Sequence, residues 1–225
     1  MELVNEEASG RPKRLPREVR ERQILDAAVS VFSVHGYHAA SMDEVSATAG
    51  ISKPMIYSYL GSKEDLFAAC IRRELDRLLV AIADRAKPGL PADQQLWYGV
   101  LAFFEFIGAN KDSWSVLHRQ ASEHGGPFAA EHRLLRTRAI ELVAALVISA
   151  AGRSEHSEIG AAAQRTGESL AAAVVGAGES LADWWLDNPQ ESARHLAERM
   201  MNVVWAGFGN LMDGKVWAPP PEADE

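Results

Sequence analysis

Ten side chains between Ser41 and Lys63 offer the chemistry of reversible recognition rather than of bond making. Ser41, Ser52, Ser58, Tyr57 and Tyr59 carry hydroxyls, Lys53 and Lys63 carry ammonium groups, and Met42, Pro54 and Met55 add apolar surface. Hydroxyl and ammonium donors suit phosphate oxygens, whose contacts position a protein on a nucleic acid without reading its sequence. Tyr57, Tyr59 and Lys63 fit that role, and either tyrosine would equally pack a small helical core, because its ring is amphipathic. Lys53, Met55 and Ser58 are the candidates for facing bases, with the Met55 thioether suited to a thymine methyl. Covalent and metal chemistry lack their spacings: the chain has no His-Glu-x-x-His, no Gly-x-Ser-x-Gly and no phosphate loop. Cys70 is the single cysteine, and His35 and His38 have no third ligand nearby in sequence. No catalytic residue, metal or cofactor is expected.

The elements that must hold these side chains can be read from their caps. Ser41 and Glu44 have the spacing of a capping box, opening a helix over Met42 to Ala49. Gly50 then leaves that helix through a left-handed conformation, which costs glycine no Cβ clash. Ser52 caps a second helix with Pro54 in its first turn, where a missing N–H matters little. The pattern is helix, tight turn, helix, and in a helix-turn-helix the second helix meets base edges with its amino-terminal residues. Before it, Ile24, Leu25, Ala28, Val29 and Phe32 stripe a helix from Arg17 that ends at Gly36.

Ile24-Leu25, Ala27-Ala28, Phe32, Gly36-Tyr37, Ser41, Val45, Ala49-Gly50-Ile51-Ser52, Tyr57, Tyr59 and Ser62-Lys63-Glu64 together resemble the amino-terminal signature of the tetracycline-repressor (TetR) family, over roughly residues 17–66. The sequence departs from the commoner pattern at Ser41 (usually Thr), Leu60 (usually Phe) and Met55 (often a hydroxyl residue). The resemblance implies an all-α protein with an N-terminal three-helix, homeodomain-like helix-turn-helix domain and a C-terminal helical ligand-binding and dimerisation domain. It further implies a homodimer that binds double-stranded DNA, mostly as a repressor, and lets go when a small-molecule effector enters the C-terminal domain.

The remainder reads as helix. Ser62 and Asp65 open a long helix to about Lys87, a candidate lever because it starts in the reading head and ends in the next domain. Ala92 to Asn110 is apolar almost all round, with Glu105 as its internal charge. A buried carboxylate is costly alone, so Glu105 either pairs with an arginine or faces a cavity where a ligand supplies the partner. Trp97, Phe103, Phe104, Glu105, Trp114 and His118 form the candidate ligand set, and its aromatic members would alternatively be plain core. Gly-Glu-Ser-Leu-Ala occurs at Gly167 and again at Gly178, about three helical turns later, so the copies share a face. Gly167, Ala171, Val175, Gly178 and Ala182, with Leu196, Met200, Val204 and Phe208 of the following helix, are the candidate dimer contacts. The alternative is that both stripes are buried within one subunit.

Charge supports this division. The chain carries −8 overall, yet Arg11 to Lys63 holds eight basic against five acidic residues. Only that segment has the sign that phosphate attracts. Residues 1–16 form an arm that either reaches along DNA or stays solvated, 17–66 the DNA-binding domain, 67–213 the ligand and dimer domain, and 214–225 a Pro-rich acidic tail. No stretch has signal-peptide character or approaches the ~20 apolar residues of a membrane span, and a cytoplasmic protein fits. The rival classes are an all-helical enzyme, which lacks any motif, and an adaptor that keeps the fold without touching DNA.

Overall fold

The computed structural model describes residues 16–120, 128–151 and 161–212, and every regular element among them is helical. The chain divides into two compact units between Ala69 and Cys70. The basic arm before Pro16, the tail beyond Met212 and the side chain of Phe208 lie outside the described residues.

The first unit contains α1 (Arg17–Ala39), α2 (Met42–Ala49), α3 (Lys53–Leu60) and the start of α4 (Lys63–Arg85). The helix of α1 is broken at Gly36, whose φ of 72° and ψ of 167° are outside helical space, so the expected end of the striped segment is a kink followed by one more turn. Ile24, Ala28, Phe32, Val45, Ile56, Leu66 and Phe67 are almost wholly buried. Phe67 is the hub, meeting Phe32 edge-on at 4.9 Å and Tyr37 at 5.1 Å between ring centroids.

Two of the expected caps take a different form. The Ser41 hydroxyl accepts from the backbone N–H of Asp43 at 3.1 Å, but Glu44 does not complete a capping box, because its carboxylate meets His35 Nε2 at 2.8 Å. Ser52 has extended cap geometry but makes no side-chain capping bond. The reciprocal box occurs instead at α4: the Ser62 N–H donates to Asp65 Oδ2 at 2.9 Å, and the Asp65 N–H to Ser62 Oγ at 3.1 Å. Gly50 is left-handed as its place in the turn requires, with φ 63° and ψ 29°.

The second unit contains the rest of α4, α5 (Ala92–Ala109), α6 (Lys111–Trp114) running into a π-helical turn (Ser115–Gln120), α7 (Phe128–Ala151), α8 (Ala161–Asp187) and α9 (Ala193–Met212). Leu96, Phe104, Ile107, Trp114, Ala182, Trp185, Leu196 and Ala197 form its core. α5 and α8 approach closely at Gly108, where an added Cβ would stand 2.7 Å from the Trp185 ring. Glu74, fully buried, is held by Arg73 at 2.5 Å and by Arg77 at 2.6 Å, and Arg77 also donates to Asn110 Oδ1 at 2.9 Å. Pairing on both oxygens is what makes a buried carboxylate tolerable.

Candidate DNA interface and ligand cavity

α3 presents Ser52, Pro54, Met55, Tyr57 and Ser58 to the surface, with Met55 37% and Tyr57 43% exposed. Ile56 on the opposite side is fully buried and fixes which way the helix faces. Ser41 is exposed at the head of α2. Met42 is not part of this surface: its side chain is 6% exposed and belongs to the core, because the first residue after the cap points inward here. Tyr59 is half-buried and covered by Arg17, whose guanidinium lies 5.2 Å from the ring centroid and donates to the Tyr59 carbonyl.

The cations of this face are tied down. Lys53 Nζ sits between both oxygens of Asp43 at 2.9 and 3.0 Å, a bond that raises its pKa and links the amino-terminal turns of α2 and α3. Lys63 Nζ donates to the His38 carbonyl at 3.2 Å and lies 4.8 Å from the Tyr37 ring centroid, and partial burial lowers its pKa. Beside it the Tyr37 hydroxyl donates to Glu64 at 2.7 Å. Burial first, and then this bond to an anion, push the Tyr37 pKa up to about 12, while the same bond holds Glu64 below the usual carboxylate range. The Ser58 hydroxyl turns back to the Met55 carbonyl at 2.8 Å.

The second unit holds an apolar cavity of about 120 Å³. α4 contributes Leu75, Leu78, Leu79 and Ile82 to its wall, α5 Val100 and Phe103, α7 Leu142 and Val143, and α8 Val174, Val175 and Gly178. Trp114 and His118 enter from the α6 segment, where the π-helical turn rotates the side chains that follow Trp114. Three of the six candidate ligand residues, Phe103, Trp114 and His118, therefore meet at the cavity.

The other three lie elsewhere. Phe104 is fully buried on the adjoining face of α5 and packs edge-on against Trp185. Trp97 lies under the Arg194 guanidinium, 5.4 Å from it. Glu105 is 43% exposed and pairs with Arg85 at 2.9 Å, so the arginine alternative describes it. Two polar residues of the wall, Arg136 and Glu179, escape sequence reasoning. Glu179 lies inside the second Gly-Glu-Ser-Leu-Ala copy, and a carboxylate within a small-residue stripe was the signal available.

The stripe itself faces inward. Ala171, Ala182 and Leu196 are 0% exposed, Met200 is 6% exposed, and Gly167 and Gly178 are buried. Gly178 stands where a Cβ would touch Met200 and Phe103 at 3.5 Å, and Val175 lines the cavity. Small residues admit a neighbouring helix of the same chain here, so these candidate dimer contacts are intrasubunit contacts. On the same two helices Trp184 is 44% and Val203 77% exposed, and Val204 is half-buried.

A three-helix head with an exposed second helix in its helix-turn-helix, followed by a helical unit with an apolar cavity, defines a helix-turn-helix DNA-binding regulator. Residues 24–70 match the family model for bacterial regulatory proteins of the tetR family, and residues 92–207 match a tetracyclin repressor-like C-terminal domain. The chain belongs to the TetR family of transcriptional regulators. It is 28% identical over 202 residues to the HTH-type transcriptional activator FasR of Mycolicibacterium smegmatis, covering 89% of this chain and 88% of that protein. A TetR-like transcriptional regulator from Rhodococcus sp. RHA1 is 42% identical, with a TM-score of 0.71 over 87% of this chain and 99% of that one. The fatty acid degradation regulator FadR from Bacillus halodurans shares the fold at 19% identity, with a TM-score of 0.72 over 83% of this chain and 98% of that one. Among the described residues no helix is long and apolar enough to cross a membrane.

Proposed function

We propose that this DNA-binding regulator acts in the cytoplasm, without catalysis, as a homodimeric repressor that a small, largely apolar ligand releases from a palindromic operator. The observation that carries the ligand is the cavity, because α4 supplies four of its apolar side chains and the same helix begins at Lys63, directly after the turn that ends α3. Two copies of α3 about 34 Å apart would enter successive major grooves, which requires two subunits. Trp184 and Val203, exposed on α8 and α9, are the proposed dimer contacts, with Val204 at their edge. Ser41, Ser52, Pro54, Met55, Tyr57 and Ser58 are proposed to meet DNA directly, with Tyr59, Lys53 and Lys63 at its phosphates.

A ligand can shift the population only by its differential affinity for DNA-competent and DNA-incompetent states. Sedimentation of the purified protein, together with fluorescence anisotropy on palindromic DNA across ionic strength, tests the reading. A dimer with salt-dependent binding is expected, and a monomer or indifference to every palindrome would overturn it. A promoter fusion distinguishes repression from activation.

A further inference from the structure

The cavity is apolar except at one end, where His118, Arg136 and Glu179 meet. Glu179 Oε2 pairs with Arg136 Nε at 3.2 Å and lies 3.9 Å from His118 Nε2. Behind this group Asp183 holds His118 Nδ1 at 3.1 Å and accepts the Trp114 indole N–H at 3.0 Å, while the Trp114 and His118 rings stack at 4.8 Å between centroids. Among the described residues the polar end therefore has two carboxylates and one permanent cation, Arg136, and that cation is already paired with Glu179.

An entering carboxylate would be a third anion. To bind, it must separate Glu179 from Arg136, and like charges at this range disfavour one another where solvent is partly excluded. A hydroxyl hydrogen meets the opposite situation, because an ionised carboxylate offers about four acceptor sites on its two oxygens and demands no counter-charge from a neutral donor. Size sets a second limit. An engineered enclosed cavity of about 150 Å³ takes benzene, and this one, about 120 Å³ and partly open, is of the same order, so a single ring with a short substituent at the open side or a short branched chain suits it.

Resting on the ligand cavity proposed above, we infer that the site selects a small apolar molecule of single-ring size with an uncharged hydrogen-bond donor, such as a hydroxyl, and rejects the carboxylate of the same skeleton. Glu179 is the residue that enforces the choice, and its partner Arg136 is spent in holding it.

Calorimetric titration of the intact chain at neutral pH with benzyl alcohol, toluene and benzoate tests this. Benzyl alcohol is expected to bind tightest, at least about tenfold ahead of benzoate. In Glu179→Gln, which keeps the side-chain shape and leaves Arg136 without its carboxylate, the alcohol-to-benzoate ratio should fall by about tenfold. Benzoate binding as tightly as the alcohol, toluene outbinding it, or an unchanged ratio in a Glu179→Gln protein of normal melting temperature overturns the head-group selection and leaves the cavity reading standing. Binding of none of the three overturns both. The wild-type series decides the matter even where the variant does not fold.

Discussion

In the first unit the side chains that would meet a partner stand outside an eight-residue helix held from beneath by Ile56, and the cations around it, Lys53 and Lys63, are fastened to neighbours of their own chain. In the second unit the corresponding side chains line a cavity, and the polar ones, His118, Arg136 and Glu179, come from three separate segments. The difference is one of reach. A surface reader needs a flat, shallow fold with its donors outward, and caps and turns a few residues long suffice to orient it. A cavity needs several long helices to leave space between them, so its lining depends on packing partners far apart in sequence.

The strongest way to break this contrast is to remove the hub of the first unit. Phe67→Ala deletes a fully buried ring in contact with Phe32 and Tyr37, and should cost about 3 to 5 kcal/mol. Hydrogen exchange is expected to show protection lost in α1 to α3 and retained in α5 and α9. Equal loss in α5 and α9 would mean the two units are not separable in stability. In the second unit Gly108→Ala places a methyl against Trp185, and overpacking of that kind costs about 1 to 3 kcal/mol. Denaturant unfolding should locate the loss in α5 and α8, with the α3 surface unchanged.

Smaller effects sharpen the contrast at the DNA face. Asp43→Asn frees Lys53 from the carboxylate of an exposed surface pair, so DNA binding should tighten by a few-fold and its salt dependence should steepen. Weaker binding would show that Asp43 positions Lys53 rather than competing for it. Tyr57→Phe removes one exposed hydroxyl donor and should weaken binding by about 1 kcal/mol, equally across operator variants. Losses that depend strongly on operator sequence would move Tyr57 from phosphate to base contact.

The least effect concerns pH. The Tyr37 pKa is raised in the fold from 10.0 to about 12. Its contribution is therefore fully present below pH 10 and is lost as pH rises towards 12, because the unfolded chain releases that proton first. Glu64 is depressed, so its contribution is present above its unfolded value and lost as pH falls through the lower folded one. Melting temperatures across the alkaline range should fall less steeply in Tyr37→Phe than in the parent; parallel curves would remove Tyr37 from the account.

Short-range chemistry made the first unit readable. Gly50 needs its left-handed turn wherever the chain goes next, and Ser41 and Ser62 sit where helices must begin. Ser52, which makes no side-chain capping bond, was one exception; Met42 and Glu44 were others, because a residue's inward turn and a carboxylate's choice of His35 over a backbone N–H depend on how α1 packs on α2. Helical periodicity likewise located the long helices of the second unit, and the aromatic residues of α5 and α6 directed attention to the right neighbourhood.

What the amino-acid order determined by itself was the succession of helices, the helix-turn-helix and the family, since these rest on interactions spanning four residues or fewer and on a stripe that any helix must bury. Only the tertiary structure decided which face of each stripe meets what. Phe103 borders the cavity while its neighbour Phe104 fills the core, because one helical step of about 100° separates them and no local rule says which side α8 will occupy. The small residues around Gly178 turned inward for the same reason: periodicity defines a face, and the packing partner gives that face its task.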